Sequence, residues 1–426
     1  MASHSDKHNA ATSRRRLSWL RADWRIILFG FILMFSSSAG QTYFIALFGG
    51  EIRDDLGLSH GQFGSIYSIA TFTSAVLLLW SGTLLDSLKL NTFTIFVFVL
   101  LAFACLAMSF SVGVISLLLG ILLLRHFGQG LMGMTSAATI MRFVPANKAK
   151  ANALSHTGYS LAEAVVPSII VAALAIWHWR ELWIWTAGVL VLMMMPLCLQ
   201  LLASQQKAKA RASAQADISA NGEPGDQAPR QWTRAEVIRD PLFYMIIPGL
   251  TSQSLLYTGY MFHQVHLVEE KGWSLSAWAG LYLLFSLTSL VMSFVIGWLV
   301  DRFGSLRVLP FINVAMICGL LLLAFSNSLM SAALFMVLMA ISTAGQAATT
   351  APFFSERYGN THLGAIKSLG SLVMVGMTAI SPIVLGLQID AGINMSVLAL
   401  EGVAYALIVS IVAWFGCRRA LKLNVS

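Results

Sequence analysis

The chain has 426 residues, of which 57% are hydrophobic and only 11% charged, and its mean hydropathy is +0.74. A water-soluble domain carries roughly 25% charged residues, so this composition excludes a soluble globule and describes a polytopic membrane protein. The net charge of +8 is scattered over short polar segments and not gathered on one basic face, which argues against a nucleic-acid partner.

Residues 1–25 form a polar, basic tail without a cleavable signal pattern, and the first apolar stretch is already long enough to span. Twelve apolar runs of membrane-crossing length follow. They lie near 26–49, 61–82, 92–111, 113–140, 152–175, 182–202, 241–262, 276–299, 308–327, 329–351, 366–388 and 394–416. Residues 203–240 are the one long polar insertion and have the composition of a flexible linker, including Asn221-Gly222-Glu223-Pro224-Gly225-Asp226. The linker separates a six-helix half at 26–202 from a second at 241–416, and residues 417–426 form a short tail.

Basic residues stay on the cytoplasmic side of a membrane. With a cytoplasmic N-terminus, 23 of the 27 Lys and Arg fall in cytoplasmic segments; Arg53, Arg180, Lys271 and the intramembrane Arg125 do not. Both termini are therefore expected in the cytoplasm and the protein in the cell (inner or plasma) membrane. The four cysteines, Cys105, Cys198, Cys318 and Cys417, show no metal-ligand spacing and read as small buried hydrophobes. No metal or cofactor site is expected.

The halves repeat each other. A shift of 215 residues lays Gly57 on Gly272, Ser59 on Ser274, Tyr67 on Tyr282, Asp86 on Asp301 and Pro167 on Pro382. An internal duplication of six-helix units is a signature of alternating-access transporters. The segment "GWLVDRFGSLR" at 297–307 resembles the Gly-x-Leu-x-Asp-Arg-x-Gly-x-x-Arg motif of the major facilitator superfamily, and "GTLLDSLKL" at 82–90 keeps its Gly82, Leu84 and Asp86. Arg125 with Gly128 and Gly130 resembles the fourth-helix motif of that family, and the layout is loosely similar to monocarboxylate and oxalate/formate carriers. The resemblance covers 26–416. It implies an all-α membrane fold of twelve transmembrane helices in two pseudo-symmetric halves, working as a monomer. By the same resemblance Asp86, Asp301, Arg302 and Arg307 form a conformational gate that latches the halves in the outward-facing state.

Polarity concentrates in spans 1, 4, 7 and 10, while spans 3, 6 and 9 are nearly bare. A helix facing lipid is apolar, and one lining a wet cavity tolerates polar side chains. Helical spacing places Gln253, Tyr257, Tyr260 and Gln264 on one face of span 7, and Arg125 and Gln129 one turn apart on span 4. The expected substrate-binding residues are Arg125, Gln129, Gln41, Tyr43, Tyr257, Tyr260 and Gln346. The competing reading of each polar group is an interhelical hydrogen bond that braces the bundle.

Arg125 lies about twelve residues into its span, or roughly 18 Å at 1.5 Å per residue, close to mid-membrane. A guanidinium there needs compensation, and its planar fork suits a carboxylate or phosphate. Glu163, on span 5 at a similar depth, is either a fixed partner that braces the helices or a proton-coupling group, because a carboxylate withdrawn from water takes a proton more readily. His126 points away from Arg125 and reads as packing; Glu401, on span 12, has no evident role.

No P-loop and no catalytic constellation is present, so neither an enzyme nor an ATP-driven pump is expected. The sequence reads as a secondary transporter of a small organic anion, moved with protons across the lipid bilayer. Two alternatives stay open: a proton-coupled exporter of drugs or metabolites, and a non-transporting sensor on the same fold.

Overall fold

The computed structural model describes residues 23–82, 84–144, 148–213, 232–359 and 362–423. Much of the basic N-terminal tail and the centre of the linker lie outside the described residues. So does the side chain of Asp86.

Among the described residues ten helices are long and apolar enough to cross a membrane: α1 (Asp23–Leu47), α3 (Leu90–Ser109), α4 (Val114–Phe143), α5 (Lys150–Leu174), α6 (Trp179–Gln205), α8 (Leu275–Phe303), α9 (Ser305–Phe325), α10 (Leu329–Tyr358), α11 (Ile366–Asp390) and α12 (Met395–Leu423). Two further helices complete the twelve, α2 (His60–Ser81) and α7 (Pro241–Phe262), each of 22 residues and so ~33 Å long. The described residues contain helices and no strand. Helical structure runs on past α6 to Ser213, beyond the boundary expected at 202, and the linker ends in a short helix, Arg234–Arg239, started by a Thr233–Glu236 capping box.

The halves meet along two seams, α2 against α11 and α5 against α8. The first is close enough to demand glycine. A Cβ on Gly64 would stand 2.3 Å from the Pro382 carbonyl oxygen.

The internal repeat is visible in backbone geometry. Gly57 and Gly272 both end short helices in the left-handed region, at φ 61° and 68°, where a Cβ would be strained. Ser59 and Ser274 then cap α2 and α8, accepting from the backbone N–H of Gln62 and Ala277; such a cap contributes about 1 kcal/mol. Pro167 and Pro382 lie inside α5 and α11 at matching places. Pro167 removes the N–H that would bond the Glu163 carbonyl one turn earlier, so the helix is weakened at the carboxylate.

Between described residues, the hydrogen bonds and ring contacts that cross the halves lie from mid-bundle to the end away from the termini, here called the distal end. There Asp390 accepts from the Ser59 hydroxyl (2.6 Å) and from the His60 and Gly61 backbone N–H groups (3.0 and 2.8 Å). Phe262 stacks on Phe63 at 4.9 Å and lies 4.5 Å from Tyr67. The His60 ring sits 4.4 Å from His266 and 5.8 Å from His263.

At the terminal end, Asp301, Arg302 and Arg307 are exposed. Arg302 lies over Trp298 and Phe303 of its own helix. The cross-half contacts between described residues thus hold the distal end closed. Cys105, Cys198 and Cys417 are buried as expected, but Cys318 is exposed.

Candidate substrate site at the centre of the bundle

The site begins with a break in α1. Residues Ser37–Gly40 form a 3-10 turn, and Gln41 is extended (φ −87°, ψ 151°) before the helix resumes at Thr42. A tightened turn followed by an extended residue turns the Gly40 carbonyl out of the helix ladder. Arg125 takes it: its Nη1 donates to that oxygen at 3.0 Å. Gly40 also meets Gly128 of α4 so closely that a Cβ on Gly128 would stand 2.7 Å from the Gly40 Cα, which accounts for the glycine near the arginine.

Arg125 is only 2% exposed. Its guanidinium lies 5.2 Å from the Tyr67 ring centroid, and the Tyr67 hydroxyl is hydrogen-bonded to Thr42 Oγ1 at 2.6 Å. Its Nε finds no acceptor. Among the described residues no carboxylate reaches it within ion-pair distance. The fixed Arg125–Glu163 pair that the sequence left open is therefore not formed.

Glu163 is instead held by phenols. Tyr257 of the opposite half donates to its Oε1 at 2.9 Å, and Tyr159, one turn earlier on α5, donates to the same oxygen at 3.3 Å. Tyr43 stands edge-on to Tyr159 with ring centroids 6.1 Å apart and lies 6.0 Å from Tyr282. Its buried hydroxyl has no hydrogen-bond partner. Tyr257 stacks on Phe285 at 5.3 Å. On the distal side Gln264 closes the cluster. Its Oε1 accepts from Trp278 Nε1 and the Tyr282 hydroxyl, both at 2.9 Å, while its Nε2 donates to the Tyr43 carbonyl at 3.0 Å.

The structure divides the residues expected from sequence. Arg125, Tyr43, Tyr257 and Glu163 gather around the mid-bundle junction, and Gln41 shapes it through its backbone, its side chain donating to Ser37 Oγ at 3.4 Å. Tyr260 turns away and donates to the Leu398 carbonyl on α12 at 2.8 Å. Gln346 braces α10 to α7 through the Leu250 carbonyl (2.8 Å) and the Ser254 hydroxyl (2.7 Å). Gln129 is exposed while Arg125 is buried, although the two are four residues apart in a segment, Leu124–Met132, that is wound as a π-helix.

The supposed single face of α7 thus reaches five different helices: Gln253 to Thr343 on α10, Tyr257 to Glu163 on α5, Tyr260 to α12, and Gln264 to α1 and α8. The chain leaves helical geometry at His263, so Gln264 belongs to a new helix. His126 packs edge-on against Phe127 with Nδ1 3.4 Å from the Ser74 carbonyl oxygen. Glu401 accepts from Gln388 at the bundle surface. Tyr159 and Tyr282 were not among the sequence candidates for the site, and Gln264 was placed on the span 7 face without being named as a binding residue. Signals for the two tyrosines existed, Tyr159 one helical turn before Glu163 and Tyr282 in the repeat opposite Tyr67.

Twelve long apolar helices in two duplicated halves, with a buried cation and a buried carboxylate at their junction, define a multi-pass membrane transporter. The sequence signature of the Major Facilitator Superfamily matches residues 30–382 and again 257–425, and the chain belongs to that family. Its fold is similar to a bacterial homolog of the human lysosomal transporter Spinster in an inward-facing, unoccupied conformation (TM-score 0.64, 14% identity, covering 94% of this chain and 98% of that one). It is similar also to the nucleoside transporter NupG (TM-score 0.65, 15% identity, covering 93% and 99%). No curated protein matches the chain in sequence.

Proposed function

We propose that the protein is a proton-coupled carrier of a small organic anion, monocarboxylate-like, that works by alternating access. The observation that carries this reading is Arg125: a buried guanidinium with one backbone carbonyl, an idle Nε and no carboxylate partner among the described residues. An uncompensated cation in a low-dielectric interior attracts an anion strongly, and a planar fork favours a carboxylate. A substrate carboxylate supplies the missing acceptor.

Glu163 is the proton-coupling residue. Its two partners are neutral phenols and not a fixed cation, so the site can accept a proton without stranding a buried positive charge. Because Tyr257 comes from the other half, the protonation state of Glu163 bears directly on a tie between halves. Tyr43, with its unengaged hydroxyl, lines the same space. Tyr260, Gln346 and Gln129 do not enter the first contacts of this site. With both termini cytoplasmic, the distally closed arrangement is inward-facing, and Asp86, Asp301, Arg302 and Arg307 form their latch only in the opposite state. The protein acts as a monomer in the cell membrane and carries out no chemistry on its cargo.

The test is uptake of labelled small carboxylates into proteoliposomes under an inward proton gradient. Gradient-dependent uptake that Arg125→Gln abolishes supports the reading. Uptake unaffected by that substitution makes Arg125 a brace, and no uptake of any carboxylate removes the cargo class.

A further inference from the structure

A groove of about 450 Å³ lies away from the central junction, on the flank of the first half between α1, α5 and α6. Its size falls within the roughly 300–1,000 Å³ range of small-molecule sites. Phe44 and Ala39 form one wall, Ile170 and Ala173 the second, Trp185 and Met194 the third. Ile169, Trp185, Leu192 and Met193 beside it are between 57% and 79% exposed; on a helix of a membrane-spanning bundle that surface faces acyl chains.

Two departures from α-helical geometry coincide here. On α1 the groove runs along residues of the Ser37–Gly40 3-10 turn. On α6 it runs along Leu190–Met194, which is π-helical. Pro196, which has no N–H to give, follows within a turn, and a π-segment accommodates that missing bond. A tightened turn facing a widened one leaves a concavity between helices that would otherwise pack.

We propose that this groove holds a single acyl chain of a bilayer lipid, and that the chain braces the turn whose Gly40 carbonyl holds Arg125. The chemistry of the walls selects the occupant. Three hydroxyl residues line the groove, Ser36, Ser38 and Thr186; the Thr186 hydroxyl is bonded to the Leu182 carbonyl, and the Ser36 hydroxyl is buried without a partner. Three serine and threonine side chains cannot hold a charged headgroup, and no charged side chain is among the described residues of the lining. An empty groove forfeits dispersion contacts along its whole lining. An acyl chain recovers them without desolvating any polar group. Its contacts with Ser36, Ser38 and Ala39 lie one to four residues from Gly40, so the occupant touches the element that positions the buried guanidinium.

The proposal does not depend on the cargo, and its test does not measure transport. Full-length protein is reconstituted with a phospholipid carrying a photoactivatable diazirine on one acyl chain, irradiated, and the adducts are mapped by peptide mass spectrometry. Adducts on α1, α5 and α6 around the groove are expected about tenfold richer than those near Phe103 or Phe294, which are exposed elsewhere on the bundle; tenfold corresponds to ~1.4 kcal/mol of preference. Ala173→Trp, and separately Ile170→Trp, fill the groove and reduce those adducts to the level of the reference surfaces. Label spread evenly over exposed apolar surface overturns the proposal, as does enrichment that either well-folded variant leaves unchanged. Should neither variant fold, the wild-type map decides alone.

Discussion

Tyr257 of the second half donates a hydrogen bond of 2.9 Å to Glu163 of the first. Near the middle of the bundle this is a polar tie between halves that carries an ionisable group. Other cross-half ties between described residues sit distally, at Asp390, at Gln264 and in the Phe63–Phe262 stack. A bond to a carboxylate contributes about 1.5–3 kcal/mol, against roughly 1 kcal/mol between neutral groups. Protonating Glu163 therefore weakens the junction by an amount comparable to the free energies that separate transporter conformations.

Two substitutions separate the proton from the tie. Glu163→Gln keeps an acceptor for Tyr257 but holds no titratable proton. Uptake driven by a pH gradient is expected to disappear while substrate exchange across the membrane persists. Tyr257→Phe keeps the carboxylate and loses one donor, so gradient-driven uptake should survive at a rate reduced about tenfold, the effect of ~1.4 kcal/mol. Measuring gradient uptake and exchange in both variants checks this, and equal loss of both activities in Glu163→Gln would count against a coupling role.

Arg125 offers a stability test of function. A buried cation with an idle Nε and no counter-charge is a cost to the empty protein. Taking a charge out of water costs several kcal/mol, and even a buried ion pair is often replaced by uncharged groups with a neutral or stabilising effect of about 1–4 kcal/mol. Arg125→Gln should thus raise the thermal midpoint of the substrate-free protein while abolishing uptake, the trade expected of a binding residue. A brace would behave oppositely, with a lower midpoint and transport lost only in proportion to folded protein.

Local features were legible in the sequence and relational ones were not. Gly57, Gly272, Ser59 and Ser274 announced helix ends because capping depends on a few neighbouring residues, and the structure places a left-handed glycine and a capping serine at each. Arg125 and Glu163 announced themselves by charge in apolar surroundings. Tyr260 misled because helical spacing fixes a direction and not the neighbour found there; its hydroxyl meets α12. Gln129 misled because spacing of one turn does not fix burial: it is exposed where Arg125 is 2% exposed. Tyr282 was visible only as the repeat partner of Tyr67, and its contact with Gln264 arises from the packing of α8 on the short helix Gln264–Lys271.

Outside the membrane, Asp55 gathers the distal loops of the first half. Trp179 Nε1 donates to it at 2.8 Å, and Arg180 both bonds it and donates to the Ser111 carbonyl at 2.7 Å. The Trp179 hydrogen bond first, and the Arg180 guanidinium with it, hold the Asp55 carboxyl below its ordinary value. A carboxyl depressed on folding contributes stability that is present above its unfolded value and is lost as pH falls through the folded one. Acidifying below pH ~4 should therefore lower the thermal midpoint of the wild type more than that of Asp55→Asn, whose midpoint is lower at neutral pH. Parallel melting curves for the two proteins between neutral pH and pH ~3 check the sign, given an unperturbed Asp value of about 3.9.

The distal seal rests on backbone approach as much as on side chains. Gly64 faces the Pro382 carbonyl, and a Cβ there would stand 2.3 Å from the oxygen, well inside any tolerated carbon–oxygen contact. Neither partner is a flexible side-chain end, and the Pro382 carbonyl is further fixed by His263 Nε2 at 2.9 Å. The smallest substitution, Gly64→Ala, must therefore push α2 from α11. It should do so only when the distal end closes, because the two backbones separate when it opens. The variant folds, and its population shifts toward the distally open state. Val265→Cys, at a position packed against Gly50 across the halves at the same distal end, reports the shift in a Cys318→Ser background, where the remaining native thiols are buried. Labelling by a membrane-impermeant maleimide should speed up about tenfold in Gly64→Ala, equivalent to ~1.4 kcal/mol of displaced equilibrium. An unchanged labelling rate in a well-folded variant would show that α2 and α11 part elsewhere and that the seam at Gly64 does not govern closure.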